Sequence, residues 1–262
     1  MERVIGYIAS ILVIIIVLPV HEFAHAFTAV KAGDPTPKAA GRYTLNPIKH
    51  FDPVGFIMLI VAHFGWAKPV PVNPYNFRNI RRDYLLVAVA GVVANIIMAF
   101  FFALLLVIFR NIAYASLSVA EYASGLEKSY FYLYFYDYSE WMYENQLLEA
   151  LPFMGLSLLN YVLLYGVVIN VNLFAFNLIP VFPLDGFRVL EATVRRRGAF
   201  FEFLRTKGYY VLLGLLIWSV VCDYASYYLP VMSYFDIFGN FLGTINNFVL
   251  RAFTGFWGLI FR

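Results

Sequence analysis

Four stretches of this chain, at about 5–30, 84–109, 151–178 and 208–229, are each apolar over a length that crosses a lipid hydrocarbon core. A span of ~30 Å needs roughly 20 helical residues. In lipid every backbone N–H and C=O must be satisfied within the protein, so such stretches are helices. Composition agrees: 62% of residues are hydrophobic and 13% charged, too little polar surface to coat a water-facing globule. The reading is an all-α, polytopic membrane protein with a bundle of at least four transmembrane helices. A shorter apolar run at 54–66 is expected to be re-entrant or interfacial. The aromatic tail from Phe235 to Phe261, with Arg251 near its middle, reads as an interfacial or spanning helix. The formal charge of +3 gives no basis for nucleic-acid binding. A cleaved leader, suggested by Arg3 ahead of an apolar run and by Ala24-His25-Ala26, is disfavoured because the rest of the chain is equally apolar.

Loop charges orient the spans. Residues 31–83 carry Lys31, Lys38, Arg42, Lys49, Lys68, Arg78, Arg81 and Arg82 against Asp34, Asp52 and Asp83. Residues 188–208 are also basic, with Arg195-Arg196-Arg197 at their centre. Residues 111–150 set Lys128 against Glu121, Glu127, Asp137, Glu140, Glu144 and Glu149. Basic loops stay on the cytoplasmic side, so the first and third spans run inward and the second and fourth run outward. The aromatic run Tyr130–Trp141 then falls in the outer loop, where Tyr and Trp rings gather at the headgroups.

Within the first span lies His21-Glu22-Phe23-Ala24-His25. On a helix this HExxH spacing sets both imidazoles on one face, one turn apart, within reach of a single metal ion. Glu22 is offset by one residue and can act on a water as general base. Ionisable groups inside a span are costly to hold there and mark functional sites. The single cysteine, Cys222, excludes a multi-cysteine site, so the ligands come from His, Asp and Glu. A catalytic zinc takes three protein ligands and keeps a fourth position open. His50, His63 and the acidic residues at depth compete for the third place. Asp185 is the strongest, in Asn177-Leu-Ile-Pro-Val-Phe-Pro-Leu-Asp185-Gly186 at the inner end of the third long span. Pro180 and Pro183 break the helix there, and Gly186 is expected to permit a sharp turn. Gly166 is expected to break or bend the third span. Topology supports the pairing: His25 lies ~9 Å of helix short of Lys31 on an inward-running span, and Asp185 closes another inward-running span.

These motifs resemble the site-2 protease family of intramembrane metalloproteases, in its compact bacterial and archaeal branch without PDZ or CBS domains. His21–His25 resembles the family's zinc helix, and Asn177–Gly186 its NxxPxxPLDG element. Gly41–Gly55 and Gly65–Pro74, with Phe77-Arg-Asn and Arg81-Arg-Asp, resemble its loop sequences, so the likeness covers roughly residues 18–192. The resemblance implies one Zn2+ per chain on His21, His25 and Asp185, with Glu22 as general base. Asn177, Asn95 and His50 are candidate contacts to substrate or oxyanion. A re-entrant or β-hairpin-like loop near the active site is expected from the residues themselves: the 54–66 run is too short to span, and the Pro and Gly punctuation of the 40–80 segment suits a strand edge that holds an extended substrate. The implied substrate is a transmembrane or membrane-associated polypeptide, cut on the cytoplasmic side of a multi-pass protein of a prokaryotic cell membrane. A single metallopeptidase domain over 1–262 is expected, with its catalytic core at about 5–192 and a membrane extension at about 208–262. Two positions depart from the pattern: Val92 replaces the usual proline of Ala90-Gly91-x-x-x-Asn95, and the bulky Phe187, expected to narrow access, follows Asp185-Gly186. A metal permease and an inactive membrane scaffold are the rival readings.

Overall fold

The computed structural model of the protein describes residues 2–55, 66–116, 135–146, 148–194 and 197–260, and the described residues form helices and loops with no strand. In order the helices are α1 (Glu2–Ala32), the one-turn α2 (Thr36–Ala39) and α3 (Pro47–His50), α4 (Ile80–Ser116), α5 (Phe135–Glu144), α6 (Ala150–Asn177), α7 (Asp185–Thr193), α8 (Ala199–Ser226) and α9 (Ile237–Ile260). Helices α1, α4, α6 and α8 are long and apolar enough to cross a membrane, as the four sequence stretches lead one to expect. Helix α9 covers the aromatic tail with 24 residues, none of them buried. The β-hairpin-like element expected near the site is not found among the described residues. Their part of 41–79 holds α3, helical residues at 53–55, a 3-10 turn at Pro74–Asn76 and irregular chain. His63, most of the 54–66 run, Tyr130–Tyr134 of the aromatic loop, and Arg195 and Arg196 lie outside the described residues.

The chain groups into two compact units. The first comprises residues 1–14, 97–170 and 248–262. Here Ile5 and Ala9 of α1 pack with Phe153 and Tyr161 of α6, and the Tyr161 hydroxyl donates to Glu2 Oε1 at 2.5 Å. Phe100 meets Phe253, Phe256 and Trp257 of α9, whose indole N–H donates to the Phe100 carbonyl at 3.0 Å. The expected break at Gly166 is absent, because α6 is continuous from Ala150 to Asn177. Gly166 serves close packing instead: a Cβ there would stand 2.2 Å from Phe102 Cδ1.

The second unit comprises residues 15–96 and 171–247. Helix α1 ends in a Schellman arrangement. Gly33, at φ +110°, donates to Val30 O at 3.1 Å and Asp34 donates to Ala29 O at 3.0 Å. Asp34 then accepts from the backbone N–H of Thr36 (3.0 Å) and Asn73 (2.7 Å), the Thr36 hydroxyl (2.5 Å) and Asn76 Nδ2 (2.8 Å). Burial raises its pKa, but these donors outweigh that and hold the carboxyl below its ordinary value.

Val181, Leu184 and Phe187 form an apolar cluster with Phe201, Leu204 and Leu212 of α8. At about 25 cal/mol per Å2 of apolar surface, each such side chain contributes roughly 1.5–3 kcal/mol against an aqueous reference. Phe187 therefore packs in this core, against Phe201 and Phe182. Gly186 serves the expected tight turn without a positive φ. What it provides is room: a Cβ would lie 2.4 Å from Leu178 O and 2.5 Å from Ile179 O. The chain between Asn177 and Asp185 can thus fold back tightly onto the first turn of α7. Arg81 of α4 closes the other end of α7, donating from Nε to Ala192 O at 2.8 Å and from Nη2 to Thr193 O at 2.5 Å. A guanidinium there satisfies terminal carbonyls and meets the negative end of the helix dipole.

Candidate metal centre

His21 and His25 lie one turn apart on α1, and Asp185 is the first residue of α7. All three are buried, and their ligand atoms lie within 4.8 Å of one another. His21 Nε2 is 3.1 Å from His25 Nε2 and 3.3 Å from Asp185 Oδ2, while His25 Nε2 is 3.0 Å from Asp185 Oδ2. A tetrahedral zinc with bonds of ~2.0–2.1 Å sets its ligand atoms about 3.3–3.4 Å apart. The observed triangle is close to one face of such a tetrahedron.

The protonation pattern adds a stronger test. The two imidazoles offer their other nitrogens elsewhere: His21 Nδ1 donates to Asn95 Oδ1 at 2.5 Å, and His25 Nδ1 donates to Val87 O at 2.7 Å. A neutral imidazole with a proton on Nδ1 has a bare lone pair on Nε2. Asp185 Oδ2 is also an acceptor, buried and without a hydrogen-bond donor among the described residues. Three acceptors thus converge within 3.3 Å, which is untenable in a buried site unless a cation or extra protons lie among them. Burial alone would raise the Asp185 carboxyl. With both Nε2 atoms bare, a cation among the three atoms is what would favour its ionised form there. Arg188 Nη1 stands 3.5 Å from its second oxygen. The donor set of two imidazoles and one carboxylate is the chemistry of a zinc site with an open position, and the residues fit that ion.

Helix α4 builds the back wall. Val87, Gly91 and Asn95 are four residues apart, so they form one stripe on α4, opposed to the His21–His25 stripe of α1. The pairing of His21 with Asn95 and of His25 with Val87 makes the two helices antiparallel here. Gly91 lies between the pairs, where a Cβ would come within 2.4 Å of His25 Nε2 and 2.7 Å of His21 Nε2. Only glycine leaves the imidazole edges where they are.

Glu22 is half-buried beside the cluster. Its Oε2 accepts the backbone N–H of Val70 at 2.9 Å, which brings the irregular chain of residues 66–73 to the general-base candidate. The other sequence candidates fall differently. Asn95 is fully buried and engaged with His21, so its place is behind a ligand and not on the substrate side. Asn177 Nδ2 donates to Leu173 O within its own helix at 2.9 Å. The His50 ring bonds Thr44 O through Nε2 at 2.8 Å, a loop contact, and Asp52 accepts from Gly55 N at 2.8 Å. Sequence reasoning named Gly91 only as part of the Ala90-Gly91-x-x-x-Asn95 element and gave no role to it, to Val87 or to Val70. Val87 and Gly91 carried a signal in the four-residue steps that lead from them to Asn95, whereas the Val70 contact is made by a backbone atom and carries none.

The comparisons with known proteins agree with this geometry. The model of Peptidase family M50 matches residues 9–221. The protein named "Putative zinc metalloprotease YwhC" of Bacillus subtilis (strain 168) is 37% identical over 199 residues, covering 74% of this chain and 75% of the relative. "Putative zinc metalloprotease Rip2" of Mycolicibacterium smegmatis (strain ATCC 700084 / mc(2)155) is 37% identical over 86 residues, 31% of this chain and 33% of the relative. No solved structure matches the chain. With the family model spanning most of its length and both histidines and Asp185 brought together within that span, the chain belongs to Peptidase family M50.

Proposed function

We propose that the chain is a zinc-dependent intramembrane endopeptidase, with His21, His25 and Asp185 as the metal ligands and Glu22 as the general base. The observation that carries this reading is the convergence of three buried acceptor atoms, at 3.0–3.3 Å, beside a glutamate. When bound there, zinc supplies a Lewis acid that polarises a scissile carbonyl and acidifies water. Glu22 accepts the proton of the attacking water on its carboxylate and passes it to the leaving amine. Val70 N–H holds one carboxylate oxygen and so limits the rotation of a long side chain. Val87 O and Asn95 fix the Nδ1–H tautomers, which keep the Nε2 lone pairs directed at the metal.

The substrate in this reading is a transmembrane or membrane-associated polypeptide, reached from the bilayer near its cytoplasmic face. Support for the side comes from the basic loops at 31–83 and 188–208, which flank the two elements that carry the ligands. The same ligands on a permease would bind metal, but a permease has no use for a general base, and a scaffold needs neither group. Metal content and cleavage of a model transmembrane substrate, measured for wild type beside Glu22→Gln, separate these readings. Protease chemistry gives one zinc per chain in both and cleavage in the wild type alone. Equal cleavage in both, or none in either with zinc retained, removes the protease reading.

A further inference from the structure

Lys68-Pro69-Val70-Pro71 crosses beside Glu22 outside any helix or strand. Pro69 and Pro71 have no N–H, and each drives the residue before it into extended conformation. Val70 therefore carries the single N–H between residues 69 and 71, and that N–H goes to Glu22 Oε2 at 2.9 Å. With no neighbouring strand among the described residues, the remaining peptide groups find other partners. Lys68 N–H donates to His50 O at 2.9 Å. The carbonyls of Lys68 and Pro69 both accept from Arg42 Nη2, at 2.8 and 3.0 Å.

Arg42 is only 6% exposed. No carboxylate pairs with it among the described residues, and its Nη1 is buried without a partner. A buried, unpaired guanidinium is expensive, and its contacts show where it acts. The Pro69 carbonyl and the Val70 N–H belong to one planar peptide unit, and in a trans peptide they point in opposite directions. Arg42 grips one edge of that plane and Glu22 is held by the other. Any rotation that releases the carbonyl from Arg42 also turns the N–H away from Glu22.

We infer that Arg42 is a positioning residue for the reaction, setting the Pro69–Val70 peptide so that its N–H orients the Glu22 carboxylate. The inference rests on the protease reading above, in which Glu22 is the base. The link runs through a single peptide group, so it predicts non-additivity as well as loss. Misplacing a reacting group by ~1 Å costs up to about 100-fold in rate.

The test measures kcat, KM and zinc content of the full chain in detergent for wild type, Glu22→Gln, Arg42→Met, Arg42→Lys, Val70→Pro and the Arg42→Met/Val70→Pro double variant. The expected result is wild-type zinc in all, with kcat about 10- to 100-fold lower in Arg42→Met and in Val70→Pro at little-changed KM. The double variant should be no slower than the slower single variant, and Arg42→Lys should recover part of the loss. Wild-type kcat in Arg42→Met beside an inactive Glu22→Gln overturns the positioning role and leaves the protease reading standing. So do single losses that multiply in the double variant, or zinc loss shared by Arg42→Met and Arg42→Lys. Cleavage by Glu22→Gln at the wild-type rate overturns both.

Discussion

Replacing Gly91 by alanine adds one carbon to α4 at the point where both imidazole edges approach it. That carbon would lie 2.4 Å from His25 Nε2, 2.5 Å from His21 Cε1 and 2.7 Å from His21 Nε2. Ordinary carbon–nitrogen contacts lie near 3.5 Å, so the overlap is about 1 Å against two rings at once. The rings have little freedom to retreat, because their far nitrogens are held by Asn95 and Val87 on the same helix. Either α1 and α4 separate or the imidazoles rotate, and overpacking of this kind costs about 1–3 kcal/mol. A metal site tolerates only ~0.2 Å in its ligand distances. Changes behind a metal ligand already cost about 10- to 100-fold in affinity, and the Gly91→Ala overlap acts on the ligands themselves. The expected loss of zinc affinity is therefore at least about 100-fold. Competition against chelators of graded affinity reads this directly, with Gly214→Ala as control, since a Cβ at Gly214 meets nothing within 4 Å. Wild-type zinc affinity in Gly91→Ala would refute the packing of α4 against the two histidines.

Two further outcomes follow from the geometry. Asn95→Leu keeps the volume but removes the acceptor for His21 Nδ1–H, so zinc affinity measured by the same competition should fall about 10- to 100-fold. Asp34 has its folded carboxyl below the ordinary value because its four donors outweigh burial. Its contribution is fully present above the unfolded pKa and is lost as pH falls through the folded one. Thermal unfolding across acidic pH should show Asp34→Asn less stable than wild type near neutrality, with the difference shrinking on acidification. A constant difference would contradict the assignment.

Much of the site could be read from the chain because its residues announce themselves locally. His21 and His25 sit at helical spacing inside an apolar run, and Asp185 follows a proline-broken helix end, so periodicity and loop charge were enough to expect them on the same side. The structure brings these three together. What the chain concealed depends on which helix faces which. Asn95 read as a substrate contact because nothing in its own segment shows that α4 runs antiparallel to α1 with the 87–91–95 stripe against the histidines. Gly166 read as a break in the third span, whereas it is a place of close approach to Phe102, and the turn expected at Gly186 rests on room beside the carbonyls of Leu178 and Ile179 and not on a positive φ. Phe187 read as an obstruction and turned out to pack in the apolar cluster with α8. The Val70 and Arg42 contacts pass through backbone atoms, which side-chain identity cannot reveal.

The most direct test of the central claim is zinc K-edge absorption, with metal content, on purified wild type beside Asp185→Ala. Two histidines and one aspartate as ligands predict one zinc per chain with a nitrogen and oxygen shell at about 2.0–2.1 Å, imidazole scattering and no sulfur near ~2.3 Å. They also predict that Asp185→Ala loses the metal or changes that shell. A zinc-free wild type, a sulfur-containing shell, or a spectrum and stoichiometry unaltered by Asp185→Ala would contradict the site.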